Sequence, residues 1–184
     1  MSKATIKTNN DKRAIEAKIQ LRINSLPKKD TIYVLECYGG ENILWNKIKK
    51  LSDKNIIVYS IDIKKYNNFQ MQGDSLKVIK SIDLSKFDII DLDSYGIPFD
   101  HLEIVFKKQY KGVVHCTVIQ SMMGNLPNGL LEANGYTKKM FSKCRTLFSK
   151  NGFDKFKNYL AINKVKSIEL FNIKNKNYLW FYIV

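Results

Sequence analysis

The sequence predicts an α/β protein: a mostly parallel sheet with helices on both faces. Three observations carry this. From Thr31 onward, β-rich runs alternate with segments of helical periodicity, and that alternation builds parallel sheets. Gly112 to Gln120, GVVHCTVIQ, is apolar almost throughout, as in strands covered on both faces. The chain closes on two strand-like runs around the polar turn Lys174-Asn175-Lys176-Asn177, a hairpin that adds one antiparallel strand at an edge. With 184 residues, 45% of them apolar, a single domain is expected: an N-terminal helical extension, 1–30, and a core, 31–184.

Each element has its own signal. A helix is expected from about Asp11 to Leu26, capped by Asn10 or Asp11. Its apolar side is marked by Ile15, Ile19 and Leu26 at helical spacing. Lys12, Arg13, Lys18 and Arg22 populate the rest and read as a solvated basic face. Pro27-Lys28-Lys29-Asp30 ends it. Thr31 to Glu36 is the first strand. Cys37-Tyr38-Gly39-Gly40 then turns into a helix over Ile43 to Leu51. Asn55 to Ile63 is the second strand, with Asp62 at its end. Gln70 to Ser75 is a short extended piece containing Gly73-Asp74, followed by a short helix, Leu76 to Ile82. Phe87 begins the fourth strand. Phe99 to Tyr110 follows as a helix with Leu102, Val105 and Phe106 inward, and Gly112 begins the fifth strand.

Ser121 to Gly135 holds three glycines and a proline. It reads either as a mobile loop over a site or as irregular structure with a short helical turn. Tyr136 to Ser149 is expected to be a helix with Met140, Cys144 and Leu147 inward, stopped by Asn151-Gly152. Phe153 to Val165 is a further helix. Ser167 to Ile173 and Tyr178 to Val184 are the last strands.

Composition narrows the function. No apolar run approaches the ~20 residues of a membrane span. The first residues, MSKATIKTNNDKR, lack the apolar core of a signal peptide, so a cytoplasmic protein is expected. Cys37, Cys116 and Cys144 are odd in number and far apart, which speaks for a reducing compartment and against a disulfide frame or zinc site. His101 and His115 are the only histidines, and His115 lies inside a strand. No metal is expected, and neither is a Ser-His-Asp mechanism. The net charge of +14 favours a polyanion, nucleic acid first and an anionic membrane surface second. A composition rich in Lys, Asn and Ile would also give that charge without such a partner. Lys138, Lys139, Lys143 and Arg145, after the fifth strand, are the expected nucleic-acid footprint.

The chemistry gathers at Phe87 to Pro98, FDIIDLDSYGIP. The stretch carries three carboxylates, Asp88 within its apolar run and Asp91 and Asp93 after it, and then a Tyr-Gly pair. Unpaired carboxylates are expensive to bury, so the strand is expected to leave the core near Asp91 and end at a rim. Asp91 and Asp93, two apart, share one face of an extended chain. Open α/β sheets bind ligands at the carboxyl ends of their strands. Strand, glycine turn and helix at Glu36 to Leu51 suit a nucleotide-like ligand, since glycines allow close approach and a helix start offers free amides. Asp62, at the end of the second strand, suits a ribose diol.

From Thr31 to Val184 the chain resembles a class I S-adenosylmethionine-dependent methyltransferase. Glu36 with Gly39-Gly40 resembles that family's first motif, Asp62 its ribose-binding acid, and Gly73-Asp74 its adenine-side acid. The stretch Asp91-Leu92-Asp93-Ser94-Tyr95-Gly96-Ile97-Pro98 is similar to the D-x-D-P-F-G-S-P motif of tRNA guanine dimethyltransferases, which modify an exocyclic amine. The resemblance implies a seven-stranded sheet ordered 3-2-1-4-5-7-6 with an antiparallel last strand, and S-adenosylmethionine as cofactor. It places the cofactor at Glu36, Tyr38, Gly39, Gly40, Asp62, Ile63, Asp74, Ser75 and Asp91. Asp93 would orient the acceptor amine, and Tyr95 would stack on a base or wedge between loop and helix. A nucleic-acid amine is the expected acceptor. The alternatives are a small-molecule or protein acceptor, or a non-catalytic nucleic-acid-binding member of the fold. A nicotinamide dehydrogenase would leave Gly73-Asp74 and the DLDSYG stretch unexplained.

Overall fold

The computed structural model describes residues 12–66, 70–120 and 124–184. Helix α1 (Lys12–Asn24) is followed by β1 (Thr31–Glu36), α2 (Ile43–Leu51), β2 (Asn55–Asp62) and β3 (Met71–Gln72). Then come α3 (Ser75–Ser81), a 3-10 turn (Leu84–Lys86), β4 (Ile89–Leu92), α4 (Phe99–Lys107) and β5 (Gly112–Ile119). Four helices follow, α5 (Asn128–Ala133), α6 (Lys138–Lys143), α7 (Arg145–Phe148) and α8 (Gly152–Ile162), and the hairpin β6 (Lys166–Ile173) and β7 (Lys176–Ile183). The expected caps Asn10 and Asp11 lie outside the described residues. Among these residues no helix is long and apolar enough to cross a membrane.

The strands form one seven-stranded sheet in the order β3-β2-β1-β4-β5-β7-β6. The pairs from β3 to β5 are parallel, and β7 runs antiparallel to β5 and β6. Alternation along the strands divides the core. Leu35, Ile61, Ile90, Leu92 and Val114 face one side, against Ile79 of α3, Leu102 and Val105 of α4, Leu130 of α5 and Phe156 and Leu160 of α8. Ile32, Val34, Ile56, Ile89 and Val113 face the other, against Trp45 and Ile48 of α2 and Ile19 and Ile23 of α1.

Helix α1 belongs to this second layer, touching α2, β6 and β7. Its innermost residues are Ala14, Leu21 and Arg22, with Lys18 half-buried between them. The expectation of a solvated basic face therefore fails for two of its four cations. The reason lies under the helix. Ser60, Glu36, Asp91, His115, Trp180 and Glu169 are direct neighbours across β2, β1, β4, β5, β7 and β6, one polar row across an otherwise apolar face. Buried polar groups need partners, and α1 and α2 supply them. Arg22 Nε and Nη2 each donate to Asp91 at 2.8 Å, and Trp45 Nε1 donates to it at 2.7 Å. Ser25 Oγ is 2.8 Å from His115 Nε2. Asn24 and Trp180 each donate to Glu169 at 2.9 Å.

Asp91 is thus 1% exposed, inside the core and not on a rim. The desolvation cost that argued for a rim is met by a fork-shaped guanidinium instead. Smaller departures follow the same logic of phase. The expected helix over Tyr136 to Ser149 is broken at Cys144 (φ −149°, ψ 75°) into α6 and α7. Phe141 and Phe148 turn toward the core, while Met140, Cys144 and Leu147 are exposed.

Arg22→Met is expected to destabilise the fold by about 3–5 kcal/mol, because it strands Asp91 without its cation. Arg22→Met combined with Asp91→Asn should recover much of that loss. Urea unfolding of the four proteins in the cycle measures both; additive losses would contradict the pairing.

Candidate functional site

Parallel strands bring their carboxyl ends to one end of the sheet, and the predicted site residues collect there. The β1–α2 turn is the tightest part. A Cβ on Gly39 would stand 1.7 Å from Ser60 Oγ and 2.9 Å from Gln70 Nε2, so only glycine fits. Gly40 has a left-handed backbone (φ +49°), and a Cβ there would meet nothing within 4 Å among the described residues. Gly39 is fixed by packing, whereas Gly40 borders open space.

Asp62 is held beside this turn. Its Oδ2 accepts from the Gly40 amide at 3.0 Å and its Oδ1 from the Lys64 amide at 3.0 Å. Each oxygen keeps a further lone pair. Ile63 next to it is 74% exposed. Asp74 caps α3 by accepting from the Leu76 amide at 2.9 Å and is itself exposed. Tyr38 and Ser75 meet through a residue that sequence reasoning assigned only to a helix. His101 Nε2 is 2.9 Å from Ser75 Oγ, and its Nδ1 is 3.2 Å from the Tyr38 hydroxyl. Burial holds the His101 ring below its usual pKa, so it is neutral and ties the β1 turn to α3 and α4.

Glu36 stands apart from these groups. It is buried beneath the turn, where the Asn42 amide, nitrogen turned inward, donates to Glu36 Oε2 at 3.0 Å and to the Gly39 carbonyl at 3.2 Å. Burial, and then the nearby Asp91 charge, push its carboxyl up to about 8. A protonated Glu36 leaves two cations, Arg22 and Lys18, facing two carboxylates, Asp91 and Asp93.

Asp93 lies just beyond β4. Lys18 Nζ donates to both its oxygens, at 2.8 and 2.7 Å, and Thr117 donates to Oδ1. Lys18 also sits 5.0 Å from the centre of the Tyr178 ring. Burial would raise the Asp93 carboxyl, but Lys18 and Arg22 more than offset it and hold it below the usual carboxylate range. Tyr95 is 79% exposed, which removes the reading of a ring wedged between loop and helix. Ser94 Oγ, between them, is buried without a hydrogen-bond partner among the described residues.

The structure therefore gathers Tyr38, Gly39, Gly40, Asp62, Ile63, Asp74 and Ser75 at three neighbouring strand ends, with Asp93 and Tyr95 at the fourth. It withdraws Asp91 and Glu36 into the polar row. Of the basic flank, Lys139 and Lys143 are exposed, and Lys138 is 3.9 Å from Glu132. Arg145 instead donates to Asn128 and to the Leu126 carbonyl, and covers the Phe141 ring at 5.1 Å, fastening its own loop. Sequence reasoning missed Lys18, Arg22 and Trp45 as partners of the acids, and Gln70 and His101 as braces of the turn. Spacing did hold a signal: Ala14, Lys18, Leu21, Arg22 and Ser25 form one helical stripe.

A Glu36 carboxyl raised in the fold and ordinary when unfolded keeps its proton in the folded state alone between about pH 4.5 and about 8. The unfolded chain then binds fewer protons, so stability falls as pH rises through that window. Glu36→Gln, neutral at every pH, should remove this decline and be the more stable protein at pH 8. Denaturant midpoints from pH 5 to 8.5 measure it; parallel profiles for the two proteins would contradict a protonated Glu36.

Neither a protein-family model nor a curated protein matches the sequence. Solved structures match the fold at low identity. One is a candidate rRNA methylase from Clostridium thermocellum, with TM-score 0.53 and 11% identity, over 98% of each chain. Another is a candidate class I S-adenosylmethionine-dependent methyltransferase from Listeria monocytogenes, with TM-score 0.55 and 13% identity, over 93% of this chain and 59% of that one. A third is phosphoethanolamine N-methyltransferase 2 from Haemonchus contortus in complex with S-adenosyl-L-methionine, with TM-score 0.58 and 9% identity, over 91% of this chain and 52% of that one. In strand order, strand direction and layers, this chain has the fold of the class I S-adenosylmethionine-dependent methyltransferases.

Proposed function

We propose that this protein is an S-adenosylmethionine-dependent methyltransferase acting on an amine, with a nucleic acid as the carrier of that amine. The observation that carries the reading is the open cradle at adjacent strand ends. Among the described residues, a Cβ on Gly40 would meet nothing within 4 Å and the buried Ser94 hydroxyl has no hydrogen-bond partner, while Asp62 keeps spare lone pairs and Asp74 is exposed at the start of α3. These groups fit a nucleoside cofactor: Asp62 would hold the ribose diol, Asp74 the adenine side, and the Gly39-Gly40 turn the amino-acid end.

When bound, that cofactor supplies an electrophilic methyl group, and the protein's task is to align a lone pair with it and receive a proton. Asp93 suits the task. Its two oxygens already grip a primary ammonium, that of Lys18. With Lys18 swung aside, the same carboxylate would accept a hydrogen bond from an acceptor amine and take up the proton released. Thr117 fixes the carboxylate, and Tyr95, free on the surface, would stack on a base. The nucleic-acid part of the reading rests on the similarity of DLDSYGIP to the guanine-amine enzymes and on the +14 charge.

Calorimetry should show S-adenosylmethionine binding, weakened about tenfold or more in Asp62→Ala, which loses charged hydrogen bonds worth ~1.5–3 kcal/mol. Asp93→Ala should keep cofactor affinity and lose transfer of labelled methyl groups to bulk RNA. Equal cofactor binding by parent and Asp62→Ala would remove the cradle assignment. Label appearing on protein or small amines instead of RNA would replace the nucleic-acid acceptor.

A further inference from the structure

The end of the sheet opposite the cradle has a distinct charge. The loops that precede β1, β2, β4 and β5 lie there, and so does the start of β6, since Lys166 neighbours Tyr182 and Tyr182 neighbours Val113 near the start of β5. Each brings lysine. Lys54 stands before β2, Lys28 and Lys29 before β1, Lys86 before β4, Lys111 before β5, and Lys166 opens β6. All are exposed but Lys54, which is half-buried. Sheet order fixes their order in space: Lys54, then Lys28 and Lys29, then Lys86, Lys111 and Lys166. With strands about 4.8 Å apart, five steps from β2 to β6 make a track of about 24 Å.

Two shallow clefts open on this end. One, of about 570 Å³, is bordered by Lys28, Lys29 and Lys54. The other, of about 470 Å³, is bordered by Lys108 and Lys111. Four aspartates share this end and are outnumbered by its lysines: Asp30 and Asp53 border the first cleft beside Lys28, Lys29 and Lys54, and Asp83 and Asp88 are engaged locally. Asp88 accepts from the Tyr33 amide and pairs with Lys29, and Asp83 caps the 3-10 turn by accepting from the Ser85 amide and hydroxyl. Lysines at helix ends such as Lys49 and Lys107 also complement helix dipoles. That accounts for those two; it does not account for cations in the loops before β1, β2, β4 and β5.

We propose that this row of lysines is a docking track for the phosphate backbone of a nucleic acid, separate from the site of methyl transfer. A line of cations set by the edge of a sheet matches a linear polyanion, and the clefts give it relief that a flat membrane surface would not use. The cradle lies a strand length away, roughly 20 Å for the six residues of β1. The nucleic acid is held at the base while the carboxyl-end site remains free for cofactor. The proposal rests on the nucleic-acid part of the functional reading and not on the cofactor part.

The test is the salt dependence of binding to a fluorescein-labelled single-stranded RNA 20-mer, followed by anisotropy without cofactor. Three proteins are compared: the parent, Lys54→Ala/Lys86→Ala/Lys111→Ala, and Lys138→Ala/Lys139→Ala/Lys143→Ala. Losing three phosphate contacts should make the slope of log affinity against log salt shallower by about two. That change is expected for the base triple variant and not for the α6 triple. An unchanged slope in the base variant, a slope carried by the α6 lysines, or binding to phosphatidylserine vesicles in place of RNA would each overturn the proposal. Cofactor calorimetry on the base variant separates the two readings. Parent-like cofactor binding with a flattened RNA slope supports the track, and a protein that binds no cofactor but keeps the RNA slope difference loses only the methyltransferase reading.

Discussion

The structure depends on a carboxylate that should not be where it is. Asp91 lies in the middle of the sheet, and its burial is tolerable only because Arg22 forks onto both its oxygens and Trp45 closes the remaining side. Such a pair is weak evidence for stability, since an apolar pair of similar shape often does as well. It is strong evidence for position. A guanidinium fork that must meet one carboxylate sets the rotation and height of α1 over the sheet more sharply than aliphatic contacts do. Lys18, one turn earlier, then falls on Asp93, and Ser25, nearly one turn later, on His115. The N-terminal helix is thus keyed to the sheet at three successive points.

The fold was legible in the sequence because its signals are local. Alternation, glycine turns and the hairpin predict β1, β2, β5, β6 and β7 to within two residues, β3 and β4 are shorter than expected, and the resemblance predicts the strand order. Where expectation failed, the cause was phase or pairing. The segment after β5 carries its apolar residues over one broad arc, with Met140, Cys144 and Leu147 toward one edge and Phe141 and Phe148 at the other, and the break at Cys144 gives the inward face to the phenylalanines. In α1 the polar stripe was read as solvent-facing because cations usually are. Its spacing marks the stripe, but the partner that turns the stripe inward, Asp91, lies 69 residues away from Arg22.

The candidate site was legible in part for the same reason. Gly39, Gly40, Asp62 and Asp74 act through backbone geometry and strand ends, which sequence spacing reports. Glu36 and Asp91 act through burial, which spacing does not report. Their withdrawal changes what the carboxyl end can do. It leaves Asp93 as the less buried acid of the DLD stretch, already holding an ammonium, with Asp62 and Asp74 as the acids at the neighbouring strand ends. Excess positive charge stands elsewhere, in exposed loops, where it costs the fold little.

The proposed cofactor site is the carboxyl end of the sheet and no other surface. The most direct measurement is a two-dimensional amide NMR titration of the full chain with S-adenosylhomocysteine. Saturable shifts are expected at Gly39, Gly40, Ile63, Asp74 and Tyr95, and none at Lys54, Lys86 or Lys111. Shifts confined to the loops before the strands, or no saturable shift at millimolar ligand, would contradict it.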